Sequence, residues 1–523
     1  MRLRRLLALL VGLVVLSVSA IQAQDEKVLV VGHAEVIDSL DPARGYTQTV
    51  GIVNQVIYDT LVTFPPDSAA SIEPRLAESW EVSDDGLTYT FHLRDGLVFA
   101  DGDPVTADDV VFSYMRLKNV TGNPSYLMDN VASIEATDEQ TVTITLASPA
   151  PVFLSTLANS AFGVIDSEVV TENGGTNADD AATSDTAQTY LDSHSAGTGP
   201  YVLDHWTKDT ETVLVRNENY WGEAPYFDRI IIQNLPEPAT QKTALESGDI
   251  DIALDLTSDQ MPSLEGNEEI TIASTPGNII HFLLMNKNPA IGGPMADPQV
   301  QLAVRYALDY EGYKALWGGI TPGTNMVVGF PDAYGEDKAF TRDLDMAQSL
   351  LEEAGYGDGF DITLDYPTYS IQGVNMDTTA QKIVEDLAAI GINVTLNPME
   401  VNTALEGYRA GTEAFGYWFW GPDYLDSSDV LSFMPGEKVG LRAGWTADMA
   451  DQSILDMINE AKVATDPSRR TELFTALQDY LQESGPFAPF IQPTVQTAFR
   501  SNLQGYYWHP QWIIDLSLLS RAG

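Results

Sequence analysis

Residues 74–116 read PRLAESWEVSDDGLTYTFHLRDGLVFADGDPVTADDVVFSYMR. Trp80 and Val82 end one strand, and Asp84-Asp85-Gly86 is a hairpin turn signal. Residues 87–93 then alternate, with Leu87, Tyr89, Phe91 and Leu93 apolar against Thr88, Thr90 and His92. That is the period of a half-buried strand. Thr106 is placed to cap a helix, with Asp108 and Asp109 in its first turn, where negative charge suits the helix dipole. The stretch is therefore a strand–turn–strand unit followed by a helix, and nothing in it looks catalytic.

Working outward, residues 1–23 form a targeting segment. Arg2, Arg4 and Arg5 give a basic start, residues 6–20 are apolar, and small residues at Ala20 and Ala23 offer cleavage positions. No later stretch is long and apolar enough to cross a membrane. The chain has 523 residues, 44 % of them hydrophobic, enough for two or three folded domains. It has no cysteine, which excludes disulfides, thiol catalysis and a lipid anchor on an N-terminal cysteine. The expected location is periplasmic, exported with the leader removed. The formal net charge is −48, so a nucleic-acid partner is not expected, because phosphate binding needs a basic footprint. The acids are spread along the chain and read as a solvated surface that salt would screen.

Residues 171–199 are rich in Gly, Asn, Asp, Thr and Ser and read as a long surface loop. They end in Gly197-Thr198-Gly199-Pro200-Tyr201, a tight turn into a strand. From about residue 276, helical patterns alternate with strands. Pro298 opens one helix, Gly355 and Gly391 close two others, and residues 449–464 and 467–483 form a helical pair. Such alternation argues for an α/β lobe. Residues 495–500 and 512–516 read as strands.

No HExxH, GxSxG, P-loop or dinucleotide-binding glycine pattern is present, and the six histidines lack metal-ligand spacing. No cofactor and no metal are expected, and no enzyme. The richest candidate site is residues 417–426, YWFWGPDYLD. Alternation puts Trp418 and Trp420 on one strand face and Tyr417 and Phe419 on the other. Gly421-Pro422 then breaks the strand and leaves Asp423 at its end, followed by Tyr424. Aromatic walls with one carboxylate describe a small-molecule cleft. The same pattern also describes a buried aromatic strand with Asp423 capping the next turn. His281 reads as a core or hinge histidine, with ligand contact as the alternative.

As a string, residues 74–116 resemble the signature of the bacterial extracellular solute-binding proteins of family 5 over about forty positions. GTGPY at 197–201, NENYWG at 217–222 and SGDIDIA at 247–253 resemble further elements of that family. The resemblance implies an α/β fold of two lobes. Residues 24–275 would form lobe I, with a subdomain inserted at about 56–195, and 276–493 would form lobe II. Residues 494–523 would return to lobe I, giving a two-crossing hinge. It implies a receptor that captures a solute, most simply an oligopeptide, and delivers it to the membrane permease of an ABC importer. A monomer is expected. In peptide-binding members a motif like W-x-A-D-Y-x-D-P carries an acid that grips the ligand's amino group, and Asp423 occupies that place, with Pro422 before it and Ser427 where proline is common. Tyr46 and Thr47 follow the family-like Leu40-Asp41-Pro42, and the loop there often faces the ligand. The arginine that pairs with the ligand carboxylate in dipeptide-binding members is missing: the matching stretch, residues 366–373, reads YPTYSIQG. The ligand could also be an amine-bearing solute, a sugar or a metal chelate, and a secreted hydrolase is the rival from another class.

Overall fold

A computed structural model of the chain describes residues 26–68, 71–422 and 424–522. The leader and Asp423 therefore lie outside the described residues. The opening stretch folds as its pattern dictates. Strands Ala77–Val82 and Thr88–Leu93 pair antiparallel around a turn in which Gly86 has φ +68°, a conformation that costs glycine little. Helix Ala107–Asn119 follows, and the Asp109 carboxylate accepts both the N–H and the hydroxyl of Thr106 at 2.8 Å. With strands Val131–Asp138 and Thr141–Leu146 they form a four-stranded antiparallel sheet. Phe91, Val110, Tyr114, Val142 and Ile144 close its core.

Two larger mixed sheets carry the rest. The seven-stranded sheet runs Ile270–Pro276, Thr494–Arg500, Ile252–Ala253, Val28–His33, Arg229–Asn234, Glu211–Arg216, Tyr201–Thr207. Its middle strand, Val28–His33, is parallel to both neighbours. Helix Gln48–Ile57 packs Val50, Val53 and Val56 on one face, against Leu29, Val31 and Ile230. Leu245, from helix Pro238–Ser247, packs on the other. The five-stranded sheet runs Ile392–Met399, Phe360–Pro367, Phe415–Trp420, Ile280–Met285, Phe487–Ile491. Helices cover both of its faces. Pro298–Ala307 and Met376–Ala388 lie on the side of Leu283 and Tyr417, and Gln452–Val463 and Pro467–Ser484 on the side of Phe282 and Trp418. The chain passes between the two sheets twice, between Pro276 and Ile280 and between Ile491 and Thr494.

Two expectations fail. The polar stretch 171–199 is not an open loop. It holds short helices Ala181–Ser184 and Gln188–Leu191, and it buries Ala181, Ala187 and Leu191. Its Asp185 is bound to Arg116 of helix Ala107–Asn119. Residues 512–516 form no strand: His509 and Ile513 close a tight turn with mutual backbone bonds of 2.9 and 2.8 Å, and Ile513 takes φ +65°. That conformation is unfavourable for a β-branched residue.

Candidate functional site: a carboxylate-lined cleft between two sheets

A cavity of about 360 Å³ opens where the two sheets meet. One wall is built from loops at the C-terminal ends of parallel strands: Ala34 and Glu35 after Val28–His33, Pro236 after Arg229–Asn234, and Asp255 after Ile252–Ala253. The opposite wall follows strand Phe360–Pro367 and runs through Thr368, Tyr369 and Gln372. Such carboxyl-end crevices are where open α/β sheets bind ligands. The Gln372-Gly373 turn takes φ +48° and +79° between paired Ile371 and Val374, which is the backbone of a tight hairpin turn.

Glu35, Asp255, Tyr369 and Gln372 are each held by a hydrogen bond. The Thr49 N–H, in the first turn of helix Gln48–Ile57, donates to Glu35 Oε2 at 2.7 Å. The Ala34 N–H donates to Asp255 Oδ2 at 2.7 Å. Across the cleft, the Tyr369 hydroxyl donates to Glu35 Oε1 at 3.3 Å, and its ring stacks on Phe419 at 5.9 Å. Gln372 Nε2 donates to Asn278 Oδ1 at 2.8 Å, and Asn278 Nδ2 donates to the Pro510 carbonyl at 2.6 Å. These bonds tie the lobe II wall to the first crossing and to the C-terminal segment.

Glu35, Asp255 and Asp377 line the cavity, while no lysine or arginine among the described residues does. Burial raises the Glu35 and Asp255 carboxyls above their ordinary range, and Asp255 itself adds to the effect on Glu35. Burial lowers His33 to about 4, which leaves it neutral near pH 7. The cavity thus favours a cation or a hydrogen-bond donor over a carboxylate.

The residues singled out in sequence divide. Tyr46 donates to or accepts from Tyr126 at 3.1 Å, and Lys438 Nζ lies 4.5 Å from the Tyr126 ring and 5.2 Å from the Trp420 ring. That chain of contacts brings Tyr46 and Trp420 to one place between the lobes. The Trp420 N–H donates to Asp429 Oδ2 at 2.6 Å. Tyr424 is half-buried just beyond the strand end. Thr47 caps helix Gln48–Ile57, its Oγ1 accepting the Val50 N–H at 3.4 Å.

Trp418 and His281 are not where a ligand contact would need them. Trp418 is 2 % exposed, stacks on Tyr408 at 4.2 Å and donates its N–H to Glu413 Oε2 at 2.6 Å. The face it shares with Trp420 packs on the C-terminal helices, which encloses Trp418, whereas Trp420 at the end of the strand also meets Lys438. His281 is 0 % exposed and bonded through Nδ1 to the Tyr417 hydroxyl at 2.9 Å. Burial lowers it to about 3, so it is a neutral core residue. Glu35 and Asp255 carry no local motif, whereas Tyr369 and Gln372 fall in the 366–373 stretch that the resemblance already set against the ligand. The signal that could have found the two acids is their position after the C-terminal ends of parallel strands.

Glu413 gives a pH-dependent test of this core. Burial pushes its carboxyl from 4.5 up to about 8, although the Trp418 N–H opposes the shift. The folded state therefore holds this proton more tightly than the unfolded chain. The resulting stability is fully present below about pH 4.5 and is lost as pH rises through about 8. Glu413→Gln keeps an acceptor for Trp418 and stays neutral. It should melt above the wild type at about pH 9 and converge with it near the unfolded carboxyl pKa. Thermal melts across pH check this, and a constant difference at all pH values would refute it.

Comparison with known proteins places the geometry. The model of bacterial extracellular solute-binding proteins, family 5 Middle, matches residues 71–440. The probable D,D-dipeptide-binding periplasmic protein DdpA of Escherichia coli K12 is 28 % identical over 510 residues, covering 95 % of each chain. Di/tripeptide-binding protein 2 of Pseudomonas aeruginosa UCBPP-PA14 is 30 % identical over 531 residues, covering 95 % of this chain and 96 % of its own. Among solved structures, the periplasmic binding protein DppA of Helicobacter pylori in complex with the peptide STSA superposes with a TM-score of 0.80. It is 24 % identical, over 96 % of this chain and 99 % of its own. The binding protein AgaA of A. tumefaciens R10, in complex with agropinic acid, gives 0.78 at 23 % identity, over 95 % and 99 %. These likenesses show the two-lobed fold. The chain belongs to the bacterial extracellular solute-binding proteins of family 5, and is a binding protein rather than an enzyme.

Proposed function

Starting from that membership, we propose that the protein captures a short peptide with a free amino terminus between its lobes and hands it to the membrane permease of an ABC importer. The observation that carries this reading is the cleft itself. Its cavity is walled by both lobes and lined by three carboxylates and by aromatic rings, with no lysine or arginine among the lining residues. A free ammonium suits that lining. The relatives named for di- and tripeptides support a peptide of that length.

Asp423 is assigned the ligand's α-ammonium on the strength of its motif. Glu35 and Asp255 hold donors deeper in the cleft. The two crossings, at 276–280 and 491–494, act as the hinge. Closure brings Tyr369 onto Glu35 and Lys438 between Tyr126 and Trp420, and so buries the ligand and completes the face the permease reads. The leader is removed on export, leaving a free periplasmic monomer.

A second reading has its own support. The structure with agropinic acid shows this fold around a non-peptide ligand, and the residue 366–373 stretch offers no arginine for a peptide carboxylate. An amine-bearing non-peptide solute fits the same lining.

Native mass spectrometry of the protein purified from the envelope tests both points at once. The chain mass should correspond to a start near Ile21 or Gln24, and the retained ligand should carry the mass of a di- or tripeptide. A non-peptide amine would favour the second reading. Release of cleaved product during incubation with peptides would overturn the receptor reading altogether.

A further inference from the structure

Away from the cleft, the fold gathers three carboxylates from two segments distant in sequence. Side-chain oxygens of Asp101, Asp103 and Asp166 all lie within 4.8 Å of one another. Asp101 and Asp103 are exposed on a tight turn in which Gly102 takes φ +101°. Asp166 is 3 % exposed. Its Oδ1 accepts the Val169 N–H at 2.9 Å, while its buried Oδ2 has no hydrogen-bond partner among the described residues.

The placement is fixed by backbone and not by chance side-chain positions. The Ala100 N–H donates to the Gly197 carbonyl at 3.1 Å, and the Asp166 N–H donates to the Ala196 carbonyl at 2.9 Å. The two acidic segments thus hang on adjacent residues, one on Gly197 and the other on Ala196. The turn is closed by Phe99 N–H to Asp103 O at 2.8 Å, and the Asp103 N–H also donates to Asp101 Oδ1 at 3.1 Å. No ion pair joins any of the three to a lysine, arginine or histidine among the described residues. A buried carboxylate oxygen without a partner is costly, and like charges around it raise the cost.

We propose that Asp101, Asp103 and Asp166 bind a calcium ion, with the buried Oδ2 of Asp166 as its inner ligand and water completing the shell. The donor set is oxygen only, which suits a hard cation. Oxygens up to 4.8 Å apart span an ion held at about 2.4 Å on each side. With two exposed ligands and no neutral cage, the affinity belongs with weak extracellular sites, at about 10⁻⁴–10⁻³ M. The ion joins the 101–103 turn to the 166–172 segment, and so braces the polar region that Asp185 and Arg116 also hold. The spacing of the histidines could not reveal this grouping, because the three acids meet only in the fold.

The test uses the full mature chain after chelation and dialysis. Added calcium should raise the melting temperature along a saturating curve, and terbium should give a sensitised emission that calcium displaces. Asp166→Asn keeps the helix cap and should lose most of the shift. Asp103→Asn, at an exposed position that folding tolerates, should do the same. No calcium-dependent shift in the wild type would overturn the site. A shift retained in full by both variants would also overturn it, since it would then come from screening of the acidic surface. Binding of ligand in the cleft is read separately by calorimetry, so loss of either activity is distinguishable from loss of the other.

Discussion

Arg116→Met should destabilise the folded protein by about 3–5 kcal/mol near neutral pH, the usual cost of removing one partner from a buried ion pair. Arg116 is 1 % exposed, and its guanidinium is bidentate twice over. Its terminal nitrogens donate to Asp41 at 2.7 and 2.6 Å, and Nε and one terminal nitrogen donate to Asp185 at 2.8 and 2.9 Å. Burial alone would raise the Asp185 carboxyl; Arg116 outweighs it and leaves that group below its ordinary value. Methionine fills similar volume and leaves two fully buried carboxylates facing each other. Arg44 touches both acids, at 3.5 and 3.2 Å, but is part-exposed and cannot replace four donors. Arg116→Lys should recover only part of the loss, because an ammonium cannot be bidentate to two carboxylates. Adding Asp41→Asn and Asp185→Asn to Arg116→Met should recover most of it, by removing the stranded charges. Denaturant melts of the four proteins decide the matter. A single Arg116→Met variant as stable as wild type would show that the cluster contributes nothing.

That cluster also marks where sequence stops being informative. The 77–93 hairpin and the helix after Thr106 follow from local rules: a period of two, a turn that wants glycine, and a cap whose partner stands three residues on. The packing of residues 171–199 does not follow from such rules. Their polar composition reads as a loop until Asp185 meets an arginine on a helix remote in the chain. The aromatic strand shows the same limit in another form. Alternation correctly separates Trp418 and Trp420 from Tyr417 and Phe419, but it cannot say which face meets the cleft. The tryptophan face went to the C-terminal helices, and it is Phe419 that backs the cleft wall, through Tyr369. Glu35 and Asp255 are invisible locally, being single acids in an acidic chain. Only the knowledge that their strands lie parallel and side by side gives those positions meaning.

Asp423→Asn should weaken binding of free-amine peptides by about 30- to 5000-fold, the equivalent of about 2–5 kcal/mol for truncating one partner of a desolvated charge pair. In sequence, Asp423 stands three positions after Trp420, the last residue of the central strand Phe415–Trp420. Trp420 is buried and Tyr424 half-buried, and the expected magnitude is that of an ammonium that loses most of its water on binding. An ammonium left without its counter-charge in such a place costs far more than a hydrogen bond to an amide returns. Folding should be nearly untouched, since asparagine matches aspartate in size and shape. If the pair is the source of the effect, acetylating the peptide's amino group should weaken binding to the wild type by a similar factor and weaken the variant little further. That non-additivity is what two groups in direct contact show. The absence of lysine and arginine from the cavity lining adds the complementary expectation that amidating the peptide's C-terminus matters less than acetylating its N-terminus. Calorimetry with free, acetylated, amidated and doubly blocked forms of one peptide, on wild type and variant, measures all the terms. Equal sensitivity at both ends would place a carboxylate anchor somewhere the cleft does not show one. Indifference to Asp423→Asn, with binding intact, would move the ammonium to Glu35, Asp255 or Asp377, the carboxylates that line the cavity.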